Sequence, residues 1–293
     1  MERREKMVAY LHFEQLHGKK NVGSTNLRVH QMIKYWPEAE EYRFGSRPDV
    51  LVFQKVYWNV DYYLPETYKG GLKILDICDP DWLDNMYVKR TIDAMDAVVV
   101  PSKGLQDFIM QMTDKPVKLI PDRFDMEFVP KLKKHNGKIK RAVWFGYRHN
   151  SDVLEGAIHT LERMGIGLTI ISDDDPLMWR FATEPDTYRK KYKFYKYNEE
   201  SIYNRLQEAD ICLLPEGIRP KDIYKSNNKT IKAQLAGLPV AKNIDDLEQL
   251  MSSVERNKQA EYNYTNTKKQ YDIKKSIEEY KELISEIRNN RTK

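Results

Sequence analysis

The chain has 293 residues, more than one small core organises and enough for two domains of roughly 130–150 residues each. Hydrophobic residues make up 41% and charged residues 32%, with 13 Gly and 13 Pro, which excludes collagen-like and broadly disordered chains. Lysine and arginine number 49 against 44 aspartate and glutamate, so the net charge of +5 permits an anionic partner without demanding one.

Taken in chain order, the N-terminus Met-Glu-Arg-Arg-Glu-Lys leads into a strand-like run rather than a signal-peptide apolar region. Strands are expected at Met7–His12, Asp49–Phe53, Leu72–Ile77, Ala97–Val100 and Val117–Ile120. Between them, helical periods cover Thr25–Trp36, Leu83–Met95 and Lys103–Met112. Near-continuous apolar strands separated by helices predict a parallel sheet covered on both faces. After the basic stretch Lys131–Arg141 the pattern restarts. Strands Ala142–Phe145, Leu168–Ile171, Tyr192–Tyr195, Ile211–Leu214 and Pro239–Ala241 alternate with helices Ser151–Met164, Glu199–Glu208 and Asn228–Ala236. Near the C-terminus, Ile273, Ile277, Tyr280, Ile284 and Ile287 put one apolar stripe on a long helix.

No apolar run approaches the about 20 residues of a membrane span, so no transmembrane segment is expected. The two cysteines, Cys78 and Cys212, lie inside apolar runs, which argues against a disulfide framework and for a reducing, cytoplasmic setting. The expected fold class is α/β: two doubly wound, Rossmann-like parallel-sheet domains and a long C-terminal helix. The expected boundaries are 1–135 and 136–267, with helix 268–290 docking on a domain surface.

The strongest local signal is Ala209–Pro215, followed by Lys225-Ser226-Asn227-Asn228-Lys229-Thr230 and Ala236-Gly237-Leu238-Pro239-Val240. It describes a buried strand, a polar loop, a helix and another strand. Ser226 or Asn227 is placed to cap the helix. The helix start then offers backbone amides and the positive end of the dipole, with Lys229 beside them, a setting that suits a phosphate or pyrophosphate.

This run resembles the donor-binding segment of glycosyltransferases with the GT-B fold, in particular the large retaining group built on two Rossmann-like domains facing a cleft. Trp144-Phe145-Gly146-Tyr147 is similar to the glycine turn after the first strand of that group's donor domain, and Gly23-Ser24 to the loop after the first strand of its acceptor domain. Ala94–Ser102 is similar to the strand-and-serine signature late in the acceptor domain. The resemblance implies donor contacts from Gly146, Tyr147, Arg148, His149, Ser226, Asn227, Asn228 and Lys229. Tyr197 and Asn198, after the strand corresponding to Tyr192–Tyr195, are implied for the nucleotide base. Gly23 and Ser24 are implied from the acceptor side, where Arg28 is a further candidate cation for the departing diphosphate, and the C-terminal helix 268–290 is implied to pack back on the first domain. The sequence departs from the retaining pattern at its paired glutamates, where Tyr224 and Lys232 stand.

Leu75-Asp76-Ile77-Cys78-Asp79-Pro80-Asp81 places carboxylates at the C-terminal end of a strand, where open α/β sheets bind ligands. Asp79, and after it Asp81, are the candidates for taking the acceptor proton; the alternative role for both is capping the helix Leu83–Met95. Asp173-Asp174-Asp175 offers hard-cation ligands but reads as a turn before Pro176, and no metal is expected to be required. Gly18–Ser24 lacks the Gly-Lys pair of a P-loop, and the six histidines form no metal spacing. Lys131–Arg141 holds six cations in eleven residues, and Tyr188–Tyr197 interleaves cations with aromatics; both suit nucleic acid as well as a charged linker and a guarded edge strand.

The expected activity is hexosyl or pentosyl transfer from a nucleoside-diphosphate sugar, a UDP-sugar first, with no other cofactor. The acceptor is a hydroxyl on a glycan, a lipid-linked saccharide or a hydroxymethylated DNA base. A cytoplasmic enzyme working at a membrane surface or on DNA fits these acceptors. The alternatives are a nucleotide-sugar epimerase and a non-catalytic nucleic-acid-binding protein on the same fold.

Overall fold

The structure, a computed structural model, describes residues 8–59, 62, 64–178, 191–217 and 219–291. The expectations at Met1–Met7 and at Tyr188, Arg189 and Lys190 lie outside these residues. The chain divides into two compact units. The first comprises Met1–Asp125, Arg219–Asn227 and Tyr271–Lys293, and the second Met126–Ile218 and Asn228–Gln270.

In the first unit, strands β1 (Val8–His12), β2 (Ala39–Glu41), β3 (Val50–Gln54), β4 (Leu72–Asp76), β5 (Ala97–Val100) and β6 (Val117–Leu119) form one sheet. Its order is β2-β1-β3-β4-β5-β6 and every pairing is parallel. Val-Leu-Val-Phe-Gln in β3 and Ala-Val-Val-Val in β5 are buried throughout, as a sheet covered on both faces requires. One face packs Val29, Met32 and Trp36 together with Ile273, Ile277, Tyr280, Leu283, Ile284 and Ile287 of the C-terminal helix. The other packs Val88, Ile92, Leu105 and Ile109.

The second sheet holds β7 (Arg141–Phe145), β8 (Gly167–Ser172), β9 (Tyr192–Lys196), β10 (Ile211–Leu213) and β11 (Val240–Ala241) in the order β11-β10-β7-β8-β9, again all parallel. Read from β9, this is the 3-2-1-4-5 order of a doubly wound nucleotide-binding sheet, whose direction reverses between β7 and β10.

Several elements differ from the sequence reading. The helix expected at Thr25–Trp36 runs as Gly23–Thr25, a π-helical turn Asn26–His30 and Gln31–Tyr35, joined by the bond from the Gln31 N–H to the Asn26 carbonyl. The helix expected from Leu83 begins at Val88, because Asp81–Leu83 forms a separate 3₁₀ turn. The C-terminal helix spans Ile273–Arg291 and is preceded by a helix Ser253–Gln270 that periodicity did not reveal. Its sequence is polar on all sides and buries only Arg256, Ala260 and Thr267. Two cations of Lys131–Arg141 are spent on the fold: Lys133 donates to the Gln207 carbonyl at 2.8 Å, and Arg141 to the Lys191 carbonyl at 3.1 Å.

Candidate functional site

In the second unit, ligands of such a sheet bind beyond the carboxyl ends of the strands where the order reverses, here β7 and β10. After β7 comes Gly146, with φ +154°. That conformation favours glycine, and a Cβ there would press on the Trp144 ring at 3.2 Å and meet Lys229 Nζ at 3.5 Å, so the lysine's ammonium sits against this turn. Lys229 comes from the helix Asn228–Leu235 that follows β10. Its ammonium lies 5.5 Å from the centre of the Trp144 ring, within cation–π reach. The first turn of that helix adds the positive end of its dipole to the lysine charge. The structure therefore brings together, at the reversal point, two of the expected segments: the loop after Gly146 and the start of the helix at Asn228.

The rest of that loop is fastened sideways. The Arg148 N–H donates to Asp173 Oδ1 at 2.7 Å and its guanidinium to Asp174 Oδ2 at 2.7 Å. Both side chains of the Arg148–Asp174 pair are more than half exposed, 55% and 62%, so the pair adds little stability and the arginine can be drawn to another anion. Tyr147 stacks on His149 with ring centres 5.7 Å apart and planes at 14°. The aspartates after β8 thus hold the arginine loop. Among the described residues no group of three or more His, Cys, Asp or Glu side chains is placed to hold a metal ion.

One turn along the same helix face, Lys232 is buried, with Nζ 2.8 Å and 3.1 Å from the two carboxylate oxygens of Glu199 and 3.0 Å from the Tyr197 hydroxyl. Tyr197 in turn donates to Glu199 Oε2. Burial lowers the Lys232 pKa and the Glu199 charge opposes that shift. Burial raises the Tyr197 phenol well above its ordinary range, with Glu199 and then Tyr147 adding to the push. Asn198 accepts from the Ser201 N–H at 3.1 Å and shapes the turn. Sequence reasoning marked Lys232 only as a non-acidic residue and overlooked Glu199, because neither the lysine's burial nor its partner thirty-three residues earlier is written in the local sequence.

Ser226 and Asn227, expected at the same helix start, group with the first unit. The Ser226 hydroxyl donates to Asp122 Oδ2 at 2.5 Å, while Ser102 donates to the Tyr224 carbonyl at 2.6 Å. Tyr224 packs edge-on against Trp82 and Phe108.

Arg28 is likewise committed inside the first unit. Its side chain is 4% exposed, with Nε 2.6 Å from Asp76 and Nη1 2.8 Å from Asp122. Tyr280 of the C-terminal helix donates to the second Asp76 oxygen at 2.6 Å. This corrects the expectation of a phosphate contact, since the guanidinium already answers two buried carboxylates. Gly23 and Ser24 open the turn before it, where the Val22 N–H donates to Glu14 Oε1 at 2.5 Å and the Asn26 N–H to the Val22 carbonyl at 3.0 Å.

Asp79 and Asp81 follow β4, and both meet a residue that the sequence did not single out. Lys55 Nζ lies 2.6 Å from Asp79 and 3.5 Å from Asp81. Tyr57 donates to Asp81 at 2.5 Å. Lys55 sits at φ +51°, a left-handed backbone costly for a non-glycine residue and often found at functional sites. Burial raises the Asp81 carboxyl above its usual range, against the lowering pull of Lys55.

No family model matches the sequence, and no curated protein is significantly similar to it. Solved structures do match. HepE from Anabaena, in complex with UDP, aligns with a TM-score of 0.63 at 10% identity over 95% of this chain and 99% of HepE. TarM aligns with a TM-score of 0.60 at 11% identity over 80% of this chain, which spans 54% of TarM's length. AviGT4, a glycosyltransferase of avilamycin A biosynthesis, gives 0.53 at 10% identity over 83% of this chain and 75% of its own. Two parallel sheets of six and five strands with a long C-terminal helix are the fold of the GT-B glycosyltransferases.

Proposed function

We propose that the chain is a glycosyltransferase that holds a nucleoside-diphosphate sugar, a UDP-sugar first, in its second unit and moves the sugar to an acceptor hydroxyl. The observation that carries this reading is the Lys229 ammonium set against Gly146 at the point where the sheet order reverses. When the bond from the sugar to the diphosphate breaks, negative charge grows on the leaving phosphate. A fixed ammonium and a helix N-terminus stabilise that charge in place. Arg148, whose pair with Asp174 is more than half exposed, is a further cation to be recruited. The UDP bound to HepE supports the choice of nucleotide. In the same reading Asp79 accepts the acceptor proton as the new bond to the sugar forms, with Lys55 keeping that carboxylate oriented.

The test is calorimetric titration with UDP of the parent chain and of Lys229→Met. Loss of one charge-assisted contact should weaken UDP roughly 10- to 100-fold. A parent chain that binds none of UDP, ADP, GDP, CDP or dTDP overturns the reading.

A further inference from the structure

In the first unit, the end of β4, the loop after β6, the π-helical turn Asn26–His30 and the C-terminal helix close around a small cavity. Its lining includes Arg28, Asp76, Ile120, Arg123, Ser276 and Tyr280. None of these six is more than 7% exposed, so the cavity belongs to the interior and not to a surface groove. It offers about 10 Å³ to the centre of a water molecule, and one buried water needs about 10–15 Å³ counted in that way. A single water is the largest molecule that fits.

The polar lining is not fully paired. The Arg28 guanidinium donates through Nε to Asp76 and through Nη1 to Asp122 and the Ile120 carbonyl. Its Nη2 is buried and has no partner among the described residues. The Ser276 oxygen accepts from Arg123 at 3.0 Å, and its own hydrogen finds no acceptor among the described residues. Asp76 accepts from Arg28 on Oδ1 and from the Tyr280 hydroxyl on Oδ2, which uses two of the roughly four lone-pair directions of a carboxylate. Two donors and one acceptor are thus left to answer, and buried polar groups are rarely left unanswered.

Charge decides what answers them. Two guanidiniums, Arg28 and Arg123, meet three carboxylates, Asp76, Asp122 and Glu279. A halide would add to that negative excess, and a metal ion would face the N–H and O–H donors, so the occupant is neutral and both accepts and donates. We propose that the cavity holds one water, which accepts from Arg28 Nη2 and from the Ser276 hydroxyl and donates to Asp76. Three partners are the usual set for a buried water. This water joins the π-helical turn, the end of β4 and the C-terminal helix at one point, beside the direct bond from Tyr280 to Asp76. It is independent of the donor reading.

The experiment is a crystal structure of the parent chain at a resolution that shows ordered water, a second parent crystal soaked in bromide, and a crystal of Ser276→Val. The parent should show one peak within hydrogen-bond distance of Arg28 Nη2, Ser276 Oγ and Asp76, with no anomalous signal after the soak. Ser276→Val removes a donor and fills the space, so its peak should vanish. An empty cavity in the parent, bromide in the cavity, or a peak that persists beside valine overturns the inference. A second variant answers in solution. Ser276→Ala keeps the room and removes one of three partners, so oxygen-17 relaxation dispersion should show one long-lived water whose residence time is roughly 10-fold shorter than in the parent. Identical dispersions in the two chains overturn the inference as well.

Discussion

Arg28→Met decides whether this arginine serves the fold or the nucleotide. In the structure its guanidinium donates at 2.6 Å to Asp76, and at 2.8 Å and 3.2 Å to Asp122 and the Ile120 carbonyl. Asp76 and Asp122 are 0% and 6% exposed at their side chains, so removing the cation leaves two carboxylates buried with their main counter-charge gone. Breaking a buried pair of this kind costs about 3–5 kcal/mol, which for a domain of this size lowers the melting temperature by roughly 6–20 °C. Differential scanning calorimetry reads the loss in the first unit's transition, and titration with UDP reads affinity on the same sample below that transition. The structure predicts a large drop in melting temperature and an unchanged UDP affinity. A variant that melts within a degree or two of the parent, or that loses UDP tenfold while staying folded, refutes the assignment of Arg28 to the core.

The Glu199–Lys232 pair should respond asymmetrically: Glu199→Ala strands a buried ammonium and costs several kcal/mol, about 3–5, whereas Lys232→Met leaves a carboxylate that is still 42% exposed and costs clearly less. Chemical denaturation compares the two, and equal losses contradict the burial argument. His135 gives a pH dependence. Its Nε2 bonds the Gly237 carbonyl at 2.9 Å, which makes Nε2 the donor, while its buried Nδ1 has no partner among the described residues. Burial lowers its pKa, the Gly237 bond opposing, so the unfolded chain takes up the proton first. The stabilisation is complete above the unfolded value of about 6.5 and is lost as pH falls through the folded one. Melting curves from pH 7.5 to 5 should fall more steeply for the parent than for His135→Gln, and parallel curves contradict this. Asp79→Asn should slow sugar release from a UDP-sugar while UDP titrates as in the parent; unchanged turnover removes Asp79 from the proposed chemistry.

The sheets were legible because buried parallel strands are written as unbroken β-branched runs, Val-Leu-Val-Phe in β3 and Ala-Val-Val-Val in β5. Strand β2 was not: Ala-Glu-Glu carries no such signal, and its place comes from pairing with β1. The meeting of Gly146 and Lys229 was legible for a local reason. The glycine turn after β7 and the lysine at the start of the helix after β10 each belong to a short strand–loop–helix unit whose geometry the neighbouring residues fix. Arg28 was not, because its partners lie 48 and 94 residues away, and a helical arginine has the same local sequence whether solvent or a carboxylate meets it.

Position 232 shows where reading by register stops. Counting back from Gly237 identifies a lysine at a place where an acid is expected, and on charge alone that looks like the loss of a negative group. A lysine whose side chain is 7% exposed cannot stay charged there without a counter-ion, since the desolvation cost in the interior is several kcal/mol per ion. The same burial that makes the substitution look disruptive therefore requires an acid within reach of the ammonium. The candidates are the residues that face this turn of the helix, at the end of the neighbouring edge strand, and Glu199 fills the place at 2.8 Å from thirty-three residues earlier in the chain. At a buried position, therefore, a reversed charge is evidence for an opposite residue across from it before it is evidence for a changed chemistry.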